Sequence, residues 1–330
     1  MSPLYGHEAA VAAFRAALDG GRLHHAWLIA GAEGIGKGLF ARKAALRVLA
    51  QGQGPVARPG FEVPEEHQSA RLMAAGSHPD FMLLERLAKD GGTELARSIK
   101  IDQVRGLQRL FATAPTYSPW RVVVVDAADD LETGGANALL KNLEEPPANT
   151  VFLLVSHAPE RLLPTIRSRC RLLRLAPLEQ ADMKRALAQA IPDAPPAEIE
   201  ALAASGGGAP GRAAAYRGLD VGGLDQAMRA IASNGDPTNK QRAALAQSLA
   251  GKSAQPRYEA FLDRAPSFIA AAARDRRGAA LAGAVRLWEE AEALSRVAQR
   301  QSLEPQATAF EMAGLIAGLA KSSAGTSRKA

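Results

Sequence analysis

Trp120–Cys170 reads WRVVVVDAADDLETGGANALLKNLEEPPANTVFLLVSHAPERLLPTIRSRC, and its pattern decides the fold of the chain. Val122–Val125 is an uninterrupted β-branched run ending on Asp126, the signature of a central parallel strand buried on both faces. It delivers a carboxylate to the carboxyl edge of a sheet, where open α/β sheets bind ligands. Ala136, Leu139, Leu140 and Leu143 then recur at helical spacing, until Glu144-Glu145-Pro146-Pro147 stops the helix. Val151–Val155 is a second apolar strand ending on Ser156, and Arg161–Arg169 runs through Pro164 into Ser168-Arg169-Cys170, an arginine-rich end beside a strand edge.

Working back towards the N-terminus, a first amphipathic helix ends at Gly20-Gly21, and His24-His25-Ala26-Trp27-Leu28-Ile29-Ala30 leads into a strand that breaks at Gly31. The two histidines have no third ligand in sight and read as an ordinary strand lead-in. Gly31-Ala32-Glu33-Gly34-Ile35-Gly36-Lys37-Gly38 follows that strand and opens a helix through Phe40 and Ala44 to Leu49. In the pattern G-x-x-x-x-G-K-[ST] the glycines let backbone N–H groups wrap phosphates and the lysine neutralises them at a helix N-terminus. Gly38 stands where the Ser or Thr belongs, so the hydroxyl that normally ligates Mg²⁺ is missing. Gln51–Gly76 is rich in Gly, Pro and charge and reads as an irregular insertion with a short helix near 65–74. Phe81–Glu85 is a strand, Ile99–Phe111 a helix, and Leu172–Leu175 the last of five strands alternating with helices.

Beyond the sheet the pattern is helical. Helices at 178–191 and 195–204, then a glycine-rich turn into a third, form a small lid over 177–218. Gly218–Gly223 reads as a hinge into an all-α region over 219–320, punctuated by Pro256, Pro266 and Pro305, with a disordered tail expected at 321–330. Leu281, Val285, Trp288, Ala291, Leu294 and Ala298 fall near one helical stripe, read as core or helix–helix interface.

Across all 330 residues, 47% hydrophobic and 22% charged content is that of an ordinary globular protein of two or three domains. The net charge of +6 divides into +4 over 219–330 (15 basic, 11 acidic) and +2 over the rest, an asymmetry that permits contact with nucleic acid without arguing for it, since DNA binders usually show a clustered basic face. A single cysteine, Cys170, excludes a disulfide framework, and no Cys or Cys/His spacing suits zinc. There is no basic-then-apolar leader and no run near the ~20 apolar residues that span a bilayer, so a cytoplasmic protein without membrane contact is expected.

Taken together, several ordered segments resemble the clamp-loader branch of the AAA+ ATPases, in particular the non-motor subunits of bacterial DNA polymerase III. They are the His25–Leu28 lead-in, Gly31–Lys37, Ser77-His78-Pro79-Asp80, Ile101–Arg105, Val122–Asp129, Asn137–Pro147 and Pro164–Cys170, spread over roughly the first half of the chain. The resemblance implies an AAA+ P-loop α/β domain with a five-stranded parallel sheet over 1–176, the helical lid over 177–218, and a C-terminal all-α collar that holds the ring together. It implies that Arg169, flanked by Ser168 and Cys170, acts as an arginine finger in a neighbouring subunit's nucleotide site. Gly31, Gly34, Gly36, Lys37, Gly38 and Asp126 then form a weak or vestigial nucleotide site, with Arg212 in the place of a nucleotide-sensing arginine. In working members of the family the strand-end Asp is followed by a water-activating Glu; here Ala127 follows Asp126, and loss of such a base costs about 10²- to 10⁴-fold. Asp129 and Asp130 lie a turn further on as alternative bases. Relatives often carry a four-cysteine zinc module in the insertion, and 51–76 has no cysteine. The implied function is a non-motor subunit in DNA replication that needs no cofactor beyond weakly held ATP or ADP. Its expected partners are tau/gamma-type motor subunits and the clamp-opening delta subunit, reaching the sliding clamp and primed DNA through the assembly. The competing expectation is an autonomous ATPase working on its own bound ATP through Lys37 and Asp126.

Overall fold

The computed structural model describes residues 2–323 apart from 90, 91, 93, 94 and 302. Its contacts divide the chain into two compact units, Met1–Ala214 and Ala215–Ala330.

In the first unit, α1 (Glu8–Asp19) precedes β1 (Ala26–Ala30), α2 (Lys37–Gly52), α3 (Gln68–Ala74) and β2 (Phe81–Glu85). Next come α4 (Ile101–Arg105), α5 (Leu107–Ala112), β3 (Arg121–Asp126), α6 (Thr133–Glu144), β4 (Thr150–Ser156), α7 (Pro164–Arg167) and β5 (Arg171–Arg174). Helices α8 (Gln180–Ala190), α9 (Pro196–Ser205) and α10 (Pro210–Ala215) complete it. The five strands are the five read from the sequence, and every pairing is parallel in the order β2-β3-β4-β1-β5. The helix expected over 99–111 is two helices, broken at Gly106.

Strands β1 and β4 are buried throughout and β3 up to Asp126, as unbroken apolar runs require in a sheet covered on both faces. Because side chains alternate, Leu28, Val123, Val125, Phe152 and Leu154 share a core with Val104, Leu107, Leu139, Leu143 and Ile166 from the helices of one layer and with Ile99 just before α4. Helix α2 packs against β1, β3 and β4, and almost its whole surface is buried. The central strands thus end their register together, placing Ala30, Asp126 and Ser156 along one carboxyl edge.

Two polar centres hold the irregular connections. Asp80, 2% exposed, accepts hydrogen bonds from the backbone N–H groups of Thr116 (2.6 Å), Tyr117 (2.8 Å) and Ser118 (3.1 Å), tying the loop before β3 to the start of β2. That gives Ser77–Asp80 a structural role. In the insertion, the buried Arg47 guanidinium donates to the carbonyls of Val56, Arg58 and Glu62, and Phe61 packs edge-on against Phe14 and Phe40. A four-thiolate zinc site does not fit a segment without cysteine.

The second unit contains α11 (Val221–Asn234), α12 (Lys240–Ser248), α13 (Gln255–Arg274), α14 (Gly278–Gln301) and α15 (Pro305–Ser323). Helix α15 touches the other four, burying Ala309, Met312, Ala313 and Ile316. Pro256 and Pro305 open helices, but Pro266 lies inside α13 rather than ending it. A proline removes one helical hydrogen bond and crowds the carbonyl four residues back, and the burial of Phe261, Leu262, Ala265 and Ile269 around it offsets that cost. The expected stripe on α14 is split. Ala291 and Ala298 are buried with Ala284, whereas Leu281, Val285 and Trp288 are 37%, 37% and 38% exposed. Helix α15 continues three residues into the segment expected to be a disordered tail, and the rest of that segment, 324–330, lies outside the described residues.

Candidate functional site: a phosphate loop at the sheet edge and an arginine beyond it

The loop between β1 and α2 has the backbone that a phosphate cradle requires. Gly34 (φ 75°) and Gly36 (φ 103°) lie in the left-handed region, which side-chain-bearing residues avoid, and Gly36 caps the 16-residue helix α2. The orphan N–H groups of that helix start face a cavity of about 660 Å³, large enough for a nucleotide and lined by Gly36, Lys37, Gly38, Asp126 and His157 among others. The lid turn closes on this loop: Gly211 N–H donates to the Gly34 carbonyl at 2.8 Å, and a Cβ at Gly34 would collide with the Arg212 backbone. The geometry therefore needs glycine at 34 and leaves little space for a side chain at 211, and it seats Arg212 beside the loop.

Lys37 does not reach into open space. It is 3% exposed, and its Nζ donates to the loop's own carbonyls, Gly31 at 2.8 Å and Ala32 at 2.7 Å. Burial lowers its ammonium to about 8, overcoming the opposing pull of Glu33, Asp129 and Asp126. Asp126 is likewise engaged, 3.3 Å from Arg42 Nη2, while the same nitrogen meets Glu85 at 2.9 Å. A Cβ at Gly38 would run into Asp126 Oδ2, so a side chain at this position requires the Asp126 carboxylate to turn aside.

The two alternative bases are occupied as well. Asp129 accepts from Ser156 Oγ (3.0 Å), His157 N (2.8 Å) and Ala158 N (3.1 Å), a full set of bonds that clamps the end of β4. Asp130 meets Arg86 at 3.1 Å, and burial raises its carboxyl above the ordinary range.

Arg169 lies two residues beyond the end of α7. Its Nη2 pairs with Glu144 Oε1 at 2.8 Å and its Nη1 donates to the Thr165 carbonyl at 3.0 Å, leaving the side chain 35% exposed. Ser168 Oγ donates to the same carbonyl at 3.1 Å. Cys170 packs against the sheet core, and burial pushes its thiol up to about 12, which keeps it protonated.

The sequence model of the family described as DNA polymerase III, delta subunit, matches residues 6–179, more than half of the chain. The chain belongs to that family. Among curated relatives, the DNA polymerase III subunit delta′ of Pseudomonas aeruginosa is 39% identical over 205 residues, 61% of this chain and 59% of that protein. The delta′ subunit of Escherichia coli is 38% identical over 168 residues, 49% of this chain and 45% of its own. The gamma/tau subunit of Mycobacterium tuberculosis H37Rv is 42% identical over 164 residues, 50% of this chain and 26% of its own. The chain thus spans about half the length of the delta′ relatives it matches. The resemblance to clamp-loader subunits is accordingly to the delta-prime type, and the five-stranded parallel α/β architecture it implied is the one observed in the first unit. Among the described residues, no helix is long and apolar enough to cross a membrane.

Sequence reading missed Arg42, Glu85 and Glu144 as members of this region. Arg42 carried the only usable signal, since it lies four residues after Gly38 and so on the same face of α2.

Proposed function

We propose that this member of the delta-subunit family is a non-motor, delta-prime-like subunit of the DNA polymerase III clamp loader, supporting ATP-driven loading of the sliding clamp on primed DNA. It donates Arg169 to the nucleotide site of a neighbouring tau/gamma-type motor subunit and assembles with them and the clamp-opening delta subunit through its C-terminal helices. The carrying observation is the Arg42 contact with Asp126: the carboxylate that a working ATPase commits to its metal is tied into an internal ion pair here. The absence of a glutamate after Asp126, Lys37 turned onto its own loop and the bonded state of Asp129 support the same reading. The pocket keeps the size and the glycine backbone for passive nucleotide binding.

The test is steady-state ATP hydrolysis by the purified chain. Turnover at background level is expected, unchanged in Lys37→Ala. Clear turnover that Lys37→Ala abolishes would instead make the chain a motor acting on its own ATP.

A further inference from the structure

We propose that Glu144 is a positioning residue for the finger: it holds the Arg169 guanidinium against the end of α6 until a neighbouring subunit's nucleotide draws it away. The inference rests on Arg169 serving a neighbour's site.

The main chain around Arg169 is fixed. Arg169 N–H donates to the Ile166 carbonyl at 3.1 Å and Cys170 N–H to the Arg167 carbonyl at 3.2 Å, while Ile166 lies in the sheet core and Cys170 packs against it. Only the side chain is left to move, and the torsions of a part-exposed arginine change within nanoseconds. In the observed position both terminal nitrogens are engaged, Nη2 by Glu144 Oε1 at 2.8 Å and Nη1 by the Thr165 carbonyl at 3.0 Å. Thr165 belongs to α7, the short helix leading into the turn that carries Arg169, whereas Glu144 reaches it from α6, which packs against α7.

Glu144 is the last residue of the 12-residue helix α6, where the helix dipole favours a cation such as Lys141 three residues earlier. A carboxylate there gains nothing from its own helix, and Arg169 supplies the compensating charge. The same carboxylate opposes docking. A phosphate that approaches the guanidinium in this position also approaches the negative charge of Glu144, so the fork has to swing clear before it can serve. With the two side chains 35% and 42% exposed, the contact is weak enough to release. Glu144 thereby sets how readily the finger leaves its resting place.

The test is ATP hydrolysis by the reconstituted assembly, with and without clamp and DNA, in a cycle of Glu144→Gln, Arg169→Ala and the double variant of this chain. The quantity read is the Arg169-dependent rate, the difference that Arg169→Ala makes in each Glu144 background. Without clamp and DNA, Glu144→Gln is expected to raise that rate about threefold, within what a part-exposed ion pair supplies. With both present the finger is already drawn off, and the rate is expected to match wild type. Glu144→Ala, which removes the acceptor along with the charge, should raise the unstimulated rate at least as much. Co-elution and thermal unfolding confirm that each variant assembles and is folded. An unchanged or lower Arg169-dependent rate in both Glu144 variants without clamp and DNA overturns the proposal, as does an equal rise in the Arg169→Ala background. If Arg169→Ala leaves the stimulated wild-type assembly unaffected, the finger itself fails, so the two failures are distinguishable.

Discussion

Arg169→Ala, introduced into this chain and reconstituted with motor and delta subunits, is expected to reduce clamp- and DNA-stimulated ATP hydrolysis by the assembly while the complex still forms. A finger supplied in trans is worth about 10³- to 10⁵-fold at the site it serves. That one site should fall nearly silent, and the assembly should lose the share of turnover that it carried. Single-turnover measurements should resolve a slow phase of that amplitude. The chain itself should lose little stability, because the Arg169–Glu144 pair is partly exposed, at 35% and 42%, and such pairs contribute about 0–1 kcal/mol. Arg169→Lys should recover only part of the rate, since an ammonium matches the charge of the guanidinium but not its two-pronged geometry. Reaching a neighbour's phosphate requires the guanidinium to leave Glu144 Oε1 and the Thr165 carbonyl, both surface contacts that are cheap to break.

The largest effect on folding is expected at Arg47. Its side chain is 2% exposed and spends its N–H groups on the carbonyls of Arg58 (3.0 Å), Glu62 (2.9 Å) and Val56 (2.9 Å) and on Gln51 Oε1 (3.2 Å). One guanidinium thus organises the connection between α2 and α3. Arg47→Met fills much of the same volume but leaves the Arg58 and Glu62 carbonyls without donors, each worth about 1–3 kcal/mol if it stays dry, while the Val56 carbonyl keeps only the Arg58 N–H at 2.9 Å. Loosening of the loop readmits water to some of them, so a net cost of about 3 kcal/mol is expected from urea unfolding of the first unit. Limited proteolysis should show new cleavage within 52–62. Arg47→Lys should recover little, because a point charge cannot span three carbonyls. A stability within about 1 kcal/mol of wild type, with 52–62 still protected, would show that the aromatic packing of Phe61 and the Lys43–Glu62 pair at 2.9 Å hold the segment without it.

The sheet was legible because its strands are continuous apolar runs. Val122–Val125 and Val151–Val155 fit only a strand covered on both faces, and the observed bounds exceed them by one residue at each end. The phosphate loop was legible for a local reason too, since Gly34 and Gly36 adopt backbone angles that the glycine spacing anticipates. What stayed hidden are contacts between long side chains far apart in sequence: Arg42 with Glu85 and Asp126, Glu144 with Arg169, Asp129 with the end of β4. No periodicity encodes them, because they depend on which strand ends the fold brings together. On α14 the spacing was read correctly and the face only in part, since Ala291 and Ala298 of the expected stripe are buried. Ala284, Ala291 and Ala298 repeat every seven residues and form the buried line against α13 and α15, where small side chains let helices approach closely. Leu281, Val285 and Trp288 have an equally helical spacing and remain part-exposed, a distinction that amplitude alone cannot supply.

The central claim is that this chain contributes to ATP hydrolysis through a neighbour's site and not through its own. The most direct measurement compares reconstituted assemblies that carry wild-type, Arg169→Ala or Lys37→Ala versions of this chain alone, reading clamp- and DNA-stimulated ATP hydrolysis at matched complex concentration. The account predicts a marked loss with Arg169→Ala and a rate indistinguishable from wild type with Lys37→Ala. Full activity with Arg169→Ala, together with loss on Lys37→Ala, would contradict it.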